Sequence, residues 1–313
     1  MTRSAERFHT LDAMRGIAAL AVVFYHAGRL VPRGYLAVDL FFALSGFVLF
    51  HAYAHRMQAG PFLIERLIRL GPMMVIGAAI GLAINGGSAG TLLMIPTGRT
   101  FLYPANIPLW SLLFEFIAGA AFALLLGFGR RAWVAALLIG LVGVVIGIEV
   151  RGSADLGFRW DTFGYGLART AFSFCIGIAI YRIVTLNRMR LGWPWGMLAL
   201  LLPFTVMMMP QDGNVLVDYA ALMVVMPLAL WLGAVSQFPS AKVAAWLGIP
   251  SYALYAVHHP LVKMDLSAWL TIPAAVLLAI VLGFLVEPRC RAALQPMQQR
   301  FTNAHFRASV KGL

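Results

Sequence analysis

The chain has 313 residues, 61% of them hydrophobic and 12% charged, with a mean hydropathy of +0.83. That is far more apolar surface than one soluble core needs, which excludes a soluble globular protein and describes an all-α integral membrane protein. The net charge of +12 is not gathered on a basic face with interleaved aromatics, so it is no nucleic-acid footprint, and no nucleic-acid partner is expected.

A helix rises about 1.5 Å per residue and the hydrocarbon core is about 30 Å thick, so stretches of roughly 17 to 25 apolar residues are the unit. About ten transmembrane helices follow in chain order, at approximately 11–28, 35–55, 70–86, 107–128, 132–149, 164–183, 192–209, 215–235, 249–265 and 268–286. With the N-terminus inside, Arg3, Arg7, Arg56, Arg66, Arg69, Arg130, Arg131, Arg182, Arg188, Arg190, Lys242, Arg289, Arg291, Arg300, Arg307 and Lys311 fall on the cytoplasmic side. Arg29, Arg33, Arg99, Arg151, Arg159 and Lys263 fall outside. An even helix count with both termini cytoplasmic satisfies this bias. There is no inverted repeat and no polar stretch long enough for a soluble domain. Residues 1–313 therefore read as one domain, a core of about 10–291 and a basic cytoplasmic tail, 292–313, that rests on anionic membrane lipids.

The first segment, "LDAMRGIAALAVVFYHAG", is too long for the apolar core of a signal peptide and lacks a small-residue cleavage site, so it stays as a helix. At about 100° per residue, Arg15 and His26 share a face and lie about 16 Å apart along the axis. Two readings are open. The pair lines a channel for one elongated substrate, charged at one end and reactive at the other, or Arg15 snorkels beside Asp12 and His26 ends a helix.

The second segment brings Asp39 close in depth to His26. A carboxylate hydrogen-bonded to one imidazole nitrogen raises the basicity of the other, as a general base for a hydroxyl requires; the alternative is an acidic residue opening a helix. Ser45 and Gly46 allow close helix approach. Next comes "HRMQAGPFLIERLIRLGP", read as a cytoplasmic loop in which Pro61 starts a short helix. It sets Arg66 and Arg69 on one face, either as two forks for the phosphates of a nucleotide-like ligand or as ordinary loop charge.

Glu115 lies about two turns into the fourth segment, where it must be protonated or paired. His258 and His259 lie about two turns into the ninth and point about 100° apart, so one of them at most is expected to face a given cavity. Cys175 and Cys290 are too far apart in kind and place to suggest a disulfide framework, and no metal is expected.

These pieces together resemble the acyltransferase family 3 of integral membrane proteins. Arg15 and His26 are similar to its Arg, ten residues, His signature. "GYLAVDLFFALSGFVL" resembles its GGxxGVDxFFVLSGFL segment, with Ala37 where glycine is usual, and "ERLIRLGP" its RxxR loop. "LWSLLFE", holding Trp110, Ser111 and Glu115, looks like WSLxxE, and "ARTAFSFCIG", holding Arg169, like a later Arg and Phe segment. "PSYALYAVHHPL" is similar to SYxLYLxHxPL, which favours His258 over His259, and "VEPRCR" to the closing IEKPxR. The likeness spans about residues 10 to 291, as a stand-alone version without an appended hydrolase-like domain.

The resemblance implies transfer of an acyl group, most often acetyl, from acetyl-CoA or another acyl-CoA in the cytoplasm to a hydroxyl or amine of a glycan or glycolipid-type acceptor across the inner membrane. Under it, Arg15, Arg66 and Arg69 bind the CoA phosphates. His26, oriented by Asp39, deprotonates the acceptor or takes the acyl group. Tyr25 or Ser45 supports the oxyanion, and Trp110, Ser111, Glu115, Arg169 and His258 surround the reacting groups or line the path of the acceptor. The competing class is a multi-span transporter or lipid flippase whose charged residues relay protons or grip a headgroup.

Overall fold

A computed structural model describes residues 7–54, 57–187, 189–264 and 266–311, with side chains described as far as residue 299. Arg3, Arg56 and Arg188, and the side chains of Arg300, Arg307 and Lys311, lie outside the described residues, as does most of the tail's expected lipid contact. Among the described residues the chain is helical, and extended pairing is limited to isolated bridges, Phe101 with Arg159 and Leu191 with Ser236.

The helices are α1 (His9–His26), α2 (Ala37–Tyr53), α3 (Ala59–Asn85), α4 (Leu109–Leu125), α5 (Gly129–Arg151), α6 (Phe163–Asn187), α7 (Trp193–Met207), α8 (Val215–Ala220), α9 (Met226–Val235), α10 (Ala241–Gly248), α11 (Ser251–Val262), α12 (Ala268–Val281) and α13 (Glu287–Lys311). Single π-helical turns join α8 to α9 and α12 to α13. Asn214, Ser240 and Ser267 open α8, α10 and α12 by accepting a backbone N–H on the side chain, which satisfies one of the donors a helix start leaves free.

Every apolar segment read from the sequence is helical over most of its length, but six stretches have the length and hydropathy to cross a membrane: Gly34–Tyr53, Ala59–Asn85, Leu109–Arg151, Trp160–Asn187, Val215–Val235 and Ala268–Gln299. This is a multi-pass membrane protein. Leu109–Arg151 holds two of the expected segments, divided after Leu126–Phe128 at Gly129, whose φ of 71° suits glycine. α1 carries Asp12, Arg15 and His26 within 18 residues, and α7 and α11 run for 15 and 12, so these three do not meet the measure.

One expectation is corrected at α3. The segment around Pro61 is no separate loop helix; Ala59–Asn85 is one continuous 27-residue helix that carries Pro72 inside it. Interior proline is tolerated in membrane helices, where neighbouring groups re-satisfy the freed carbonyl. Arg66 and Arg69 consequently sit on a rigid rod.

The centre of the bundle is α2, 78% of whose span is buried, against 28% for Leu109–Arg151 and Ala268–Gln299 at the periphery. Helices that are apolar all round suit a lipid-facing ring. α2 packs on α6 through two glycines: a Cβ built on Gly46 would lie 2.0 Å from the Phe174 carbonyl oxygen, and one on Gly177 would lie 1.9 Å from that of Ala43. Close backbone approach through small residues is how membrane helices gain van der Waals contact.

The same interface holds a fully buried ion pair. Arg169 on α6 donates from Nε to Asp39 Oδ1 at 2.9 Å and from Nη2 to Oδ2 at 2.6 Å, and Ser173 donates to Oδ1 at 3.0 Å. Two further guanidinium protons reach the Tyr35 and Leu156 carbonyls at 2.8 and 3.3 Å. Charge, geometry and hydrogen bonds are all satisfied, as a buried pair requires.

Two outcomes follow for thermal unfolding in detergent. Gly46→Ala forces α2 off α6 and lowers stability by about 1–3 kcal/mol; an unchanged midpoint would refute the close contact. Asp39→Ala strands the Arg169 charge and costs about 3–5 kcal/mol, whereas Asp39→Leu with Arg169→Met recovers most of it; a double variant as damaged as the single one would show that the pair is not the cause.

Candidate functional site

Two cavities approach each other along α1. The first, of about 770 Å³, lies against the opening turns of α1, α3, α4 and α11 and the junction of α12 and α13, and is lined by Arg7, Arg15, Arg66, Arg69 and Arg291 with Asp12, Glu65, Glu115 and Glu287. The second, of about 550 Å³, surrounds the end of α1 and is lined by Tyr25, His26, Arg29, Tyr35, Trp110, Asp155, His259 and Lys263. We refer to them as the basic cavity and the histidine cavity. Val38 and Tyr255 line both and form the partition between them.

Most charges of the basic cavity are already matched. Arg66 Nη2 donates to Glu115 Oε1 at 2.7 Å, and Ser45 donates to the same oxygen at 3.0 Å. Arg7 pairs with Asp12 at 2.7 Å, Arg291 with Glu287, and Glu65 accepts the Tyr53 hydroxyl at 2.5 Å. Arg15 and Arg69 are half-buried and have no carboxylate within salt-bridge distance among the described residues. Two guanidinium forks without counter-ions in a partly apolar cavity favour an anion, and their planar geometry suits phosphate.

In the histidine cavity, His26 ends α1 with its Nδ1 placed 3.0 Å from the Val22 carbonyl and 3.1 Å from His258 Nε2. His258 is fully buried, and its Nδ1 lies 3.0 Å from the Leu254 carbonyl and 2.9 Å from that of Tyr255. The His259 ring stands nearly perpendicular to that of His26, with centroids 5.0 Å apart. Tyr25, whose ring lies 5.0 Å from that of His26, donates its hydroxyl to Asp155 at 2.9 Å. Asp155 belongs to the loop between α5 and α6, and burial holds its carboxyl above the usual carboxylate range. At the partition, the Tyr255 and Ser111 hydroxyls are 2.6 Å apart.

Several sequence expectations meet different partners here. Asp39 does not orient His26: its carboxylate is committed to Arg169 and Ser173, because a fully buried guanidinium outcompetes an imidazole for it. Arg169 therefore lines neither cavity. Glu115 and Ser45 belong to the basic cavity, where Glu115 accepts from both Arg66 and Ser45, rather than to the surroundings of His26. Tyr25 and Ser45 have each given their single hydroxyl proton to a carboxylate, so neither is free to donate to an oxyanion in this arrangement. Trp110 lines the histidine cavity and Ser111 the basic one, so the start of α4 serves both. Of the two neighbouring histidines only His259 lines the histidine cavity, as expected of residues about 100° apart, while His258, the one favoured by the resemblance, is buried behind it; both rings pack against His26.

Asp155, Tyr255 and Lys263 are site residues that sequence reasoning did not single out, and His259 was set behind His258. Tyr255 stands three residues before His258 and so shares its face, a signal that helical spacing carries. Asp155 carries none, being a lone carboxylate in a polar loop.

A family model described as an acyltransferase domain, that of acyltransferase family 3, matches residues 8–287. Among curated proteins, "Protein 2 in picA locus" of Rhizobium radiobacter is 50% identical over 84 residues, which cover 24% of this chain and 44% of that protein. The chain thus spans less than half the length of the curated relative it matches. No solved structure matches. The family match takes in Arg15, His26, Arg66, Arg69, Glu115 and Tyr255, which line the two cavities and their partition, and His258, which bonds His26 from behind. The chain belongs to the acyltransferase family 3 of membrane acyltransferases.

Proposed function

We propose that this protein moves an acyl group, acetyl in the first instance, from a cytoplasmic acyl-CoA to a hydroxyl or amine of an extracytoplasmic glycan or glycolipid-type acceptor. The carrying observation is the division of labour across the partition: Arg15 and Arg69 without counter-ions on one side, His26 on the other. Coenzyme A has that polarity, with phosphates at one end, a thioester at the other and a flexible arm between. Arg15 and His26 are about 16 Å apart along α1, a span within reach of a pantetheine arm.

In this reading the bundle crosses the inner membrane ten times with both termini cytoplasmic, which sets Arg15, Arg66 and Arg69 on the cytoplasmic side. Arg15 and Arg69 hold the phosphates, and Arg66 braces the wall through Glu115. The arm passes Val38 and Tyr255 and brings the thioester to His26. The acceptor lies on the Trp110 ring, an apolar platform of the kind that the faces of sugar rings stack on, beside the polar groups of Asp155 and Tyr25.

His26 takes the acceptor's hydroxyl proton as the oxygen attacks the thioester carbonyl. The new C–O bond forms, the C–S bond breaks, and the proton passes to sulfur, so that an ester and free CoA thiol leave. Tyr255 and Ser111 stand where the arm crosses and part to admit it.

Ligand-induced stabilisation tests the donor. A ligand at about 100 times its dissociation constant adds roughly 2.7 kcal/mol, so CoA and acetyl-CoA raise the unfolding midpoint of purified protein. Arg15→Ala and Arg69→Ala each weaken CoA binding about 10- to 150-fold, the worth of a charge-assisted hydrogen bond of about 1.5–3 kcal/mol. If no CoA species shifts the wild-type midpoint, the donor is wrong and a transport role gains ground. A second measurement separates binding from chemistry: His26→Ala keeps the CoA-induced shift but releases no thiol from acetyl-CoA in the presence of acceptor membranes. Wild-type thiol release by that variant would remove His26 from the reaction.

A further inference from the structure

A base in this site needs its imidazole in one tautomer, and the carboxylate expected to enforce that is engaged elsewhere. The hydrogen-bond geometry supplies a different device. Backbone carbonyls accept and never donate, and His258 Nδ1 faces two of them, Leu254 at 3.0 Å and Tyr255 at 2.9 Å. The His258 proton therefore resides on Nδ1, and in the neutral ring Nε2 holds a lone pair.

That lone pair points at His26 Nδ1, 3.1 Å away, and the same nitrogen faces the Val22 carbonyl at 3.0 Å. Two acceptors converge on one nitrogen. His26 must then carry its proton on Nδ1, which leaves its Nε2 unprotonated, with no hydrogen-bond partner among the described residues and on a ring that lines the histidine cavity.

We infer that His258 is a positioning residue that, together with the Val22 carbonyl, fixes His26 as the Nδ1–H tautomer through a relay running from the Leu254 and Tyr255 carbonyls, so that His26 Nε2 is the reacting base. The inference rests on the acyl-transfer reading for its catalytic meaning, but the tautomer itself is independent of any activity. A neutral imidazole here does the orienting that a carboxylate does in many hydrolases. It adds no negative charge to a cavity that already holds Asp155. His259 plays no part in the relay: no hydrogen bond joins its ring to His26 among the described residues, and its Nδ1 is buried without a partner.

The test has two arms. In full-length protein with ¹⁵N-labelled histidine, the His26 resonances, assigned by their loss in His26→Ala, show a protonated Nδ1 and an unprotonated Nε2. In His258→Phe, which keeps the ring volume and removes both nitrogens, the Val22 carbonyl is left as the one acceptor on His26 Nδ1 and the resonances shift part of the way toward the Nε2–H pattern; they keep the wild-type pattern in His258→Gln, whose Oε1 restores an acceptor near the place of Nε2. Wild-type His26 protonated at Nε2 would overturn the inference outright. In the second arm, His258→Phe lowers kcat for thiol release about 100-fold or more with KM for acetyl-CoA unchanged, and His258→Gln recovers at least a tenth of wild-type kcat. Wild-type kcat in His258→Phe would also overturn it. Wild-type protein that transfers nothing from acetyl-CoA would instead count against the acyl-transfer reading and leave the tautomer result standing. Should His258→Phe fail to fold, the wild-type spectrum and the Gln variant decide the question.

Discussion

The pair formed by Asp39 and Arg169 is the constraint on which the rest of the site depends. A charge in an apolar bundle is tolerated only with a counter-charge and filled hydrogen bonds, and this pair has both: two carboxylate oxygens, a serine and two backbone carbonyls close its shell. In doing so it ties α2 and α6 to the turn at Tyr35 and to Leu156 in the loop between α5 and α6. A second buried pair grips the same loop from the other side. Arg33 donates to Asp218 at 2.6 Å, and the other oxygen of Asp218 accepts the Ala154 N–H at 2.7 Å. Asp155, next along the chain, is delivered to Tyr25 and the wall of the histidine cavity by these two anchors.

Against that background the arginines fall into two kinds. Arg33, Arg66 and Arg169 are buried and matched, and they shape the protein. Arg15 and Arg69 are in reach of the same cavity as Arg66 but carry their charge unmatched among the described residues. Matching all of them would build a firmer bundle and a worse receptor for an anion. Glu115 belongs with the first kind: it neutralises Arg66 and leaves Arg15 and Arg69 as the unmatched charges of the cavity.

The helices and the chemistry-bearing residues were legible in the sequence because both depend on local pattern. Apolar runs of the right length mark helices wherever lipid or core surrounds them, and an arginine or histidine within such a run stands out at once. Partner choice was not legible. Asp39 lies at a depth compatible with His26, yet its partner comes from α6, and only packing through Gly46 and Gly177 brings that helix close enough. Glu115 could be read as paired or protonated, but the identity of Arg66 as its partner required α3 to run unbroken through Pro72. The relation of His258 to His26 was hidden for the same reason, since it depends on how the end of α1 meets α11. The acyltransferase resemblance carried function further than any spacing did, because it joins many weak signals spread along the chain.

The partition between the cavities has a consequence for the cell's energetics. Val38 and Tyr255 line both polar spaces, which lie toward opposite ends of α1, and the Tyr255 hydroxyl meets that of Ser111 between them. Were that thin wall to stand open, water could thread the bundle and let protons run down the potential across the membrane. If the proposed acyl arm is what parts the wall, the substrate is its own plug. The permeability barrier of the membrane would then be kept by the same side chains that admit the donor, and a variant that loosens them would harm its host through leakage even where its chemistry is intact.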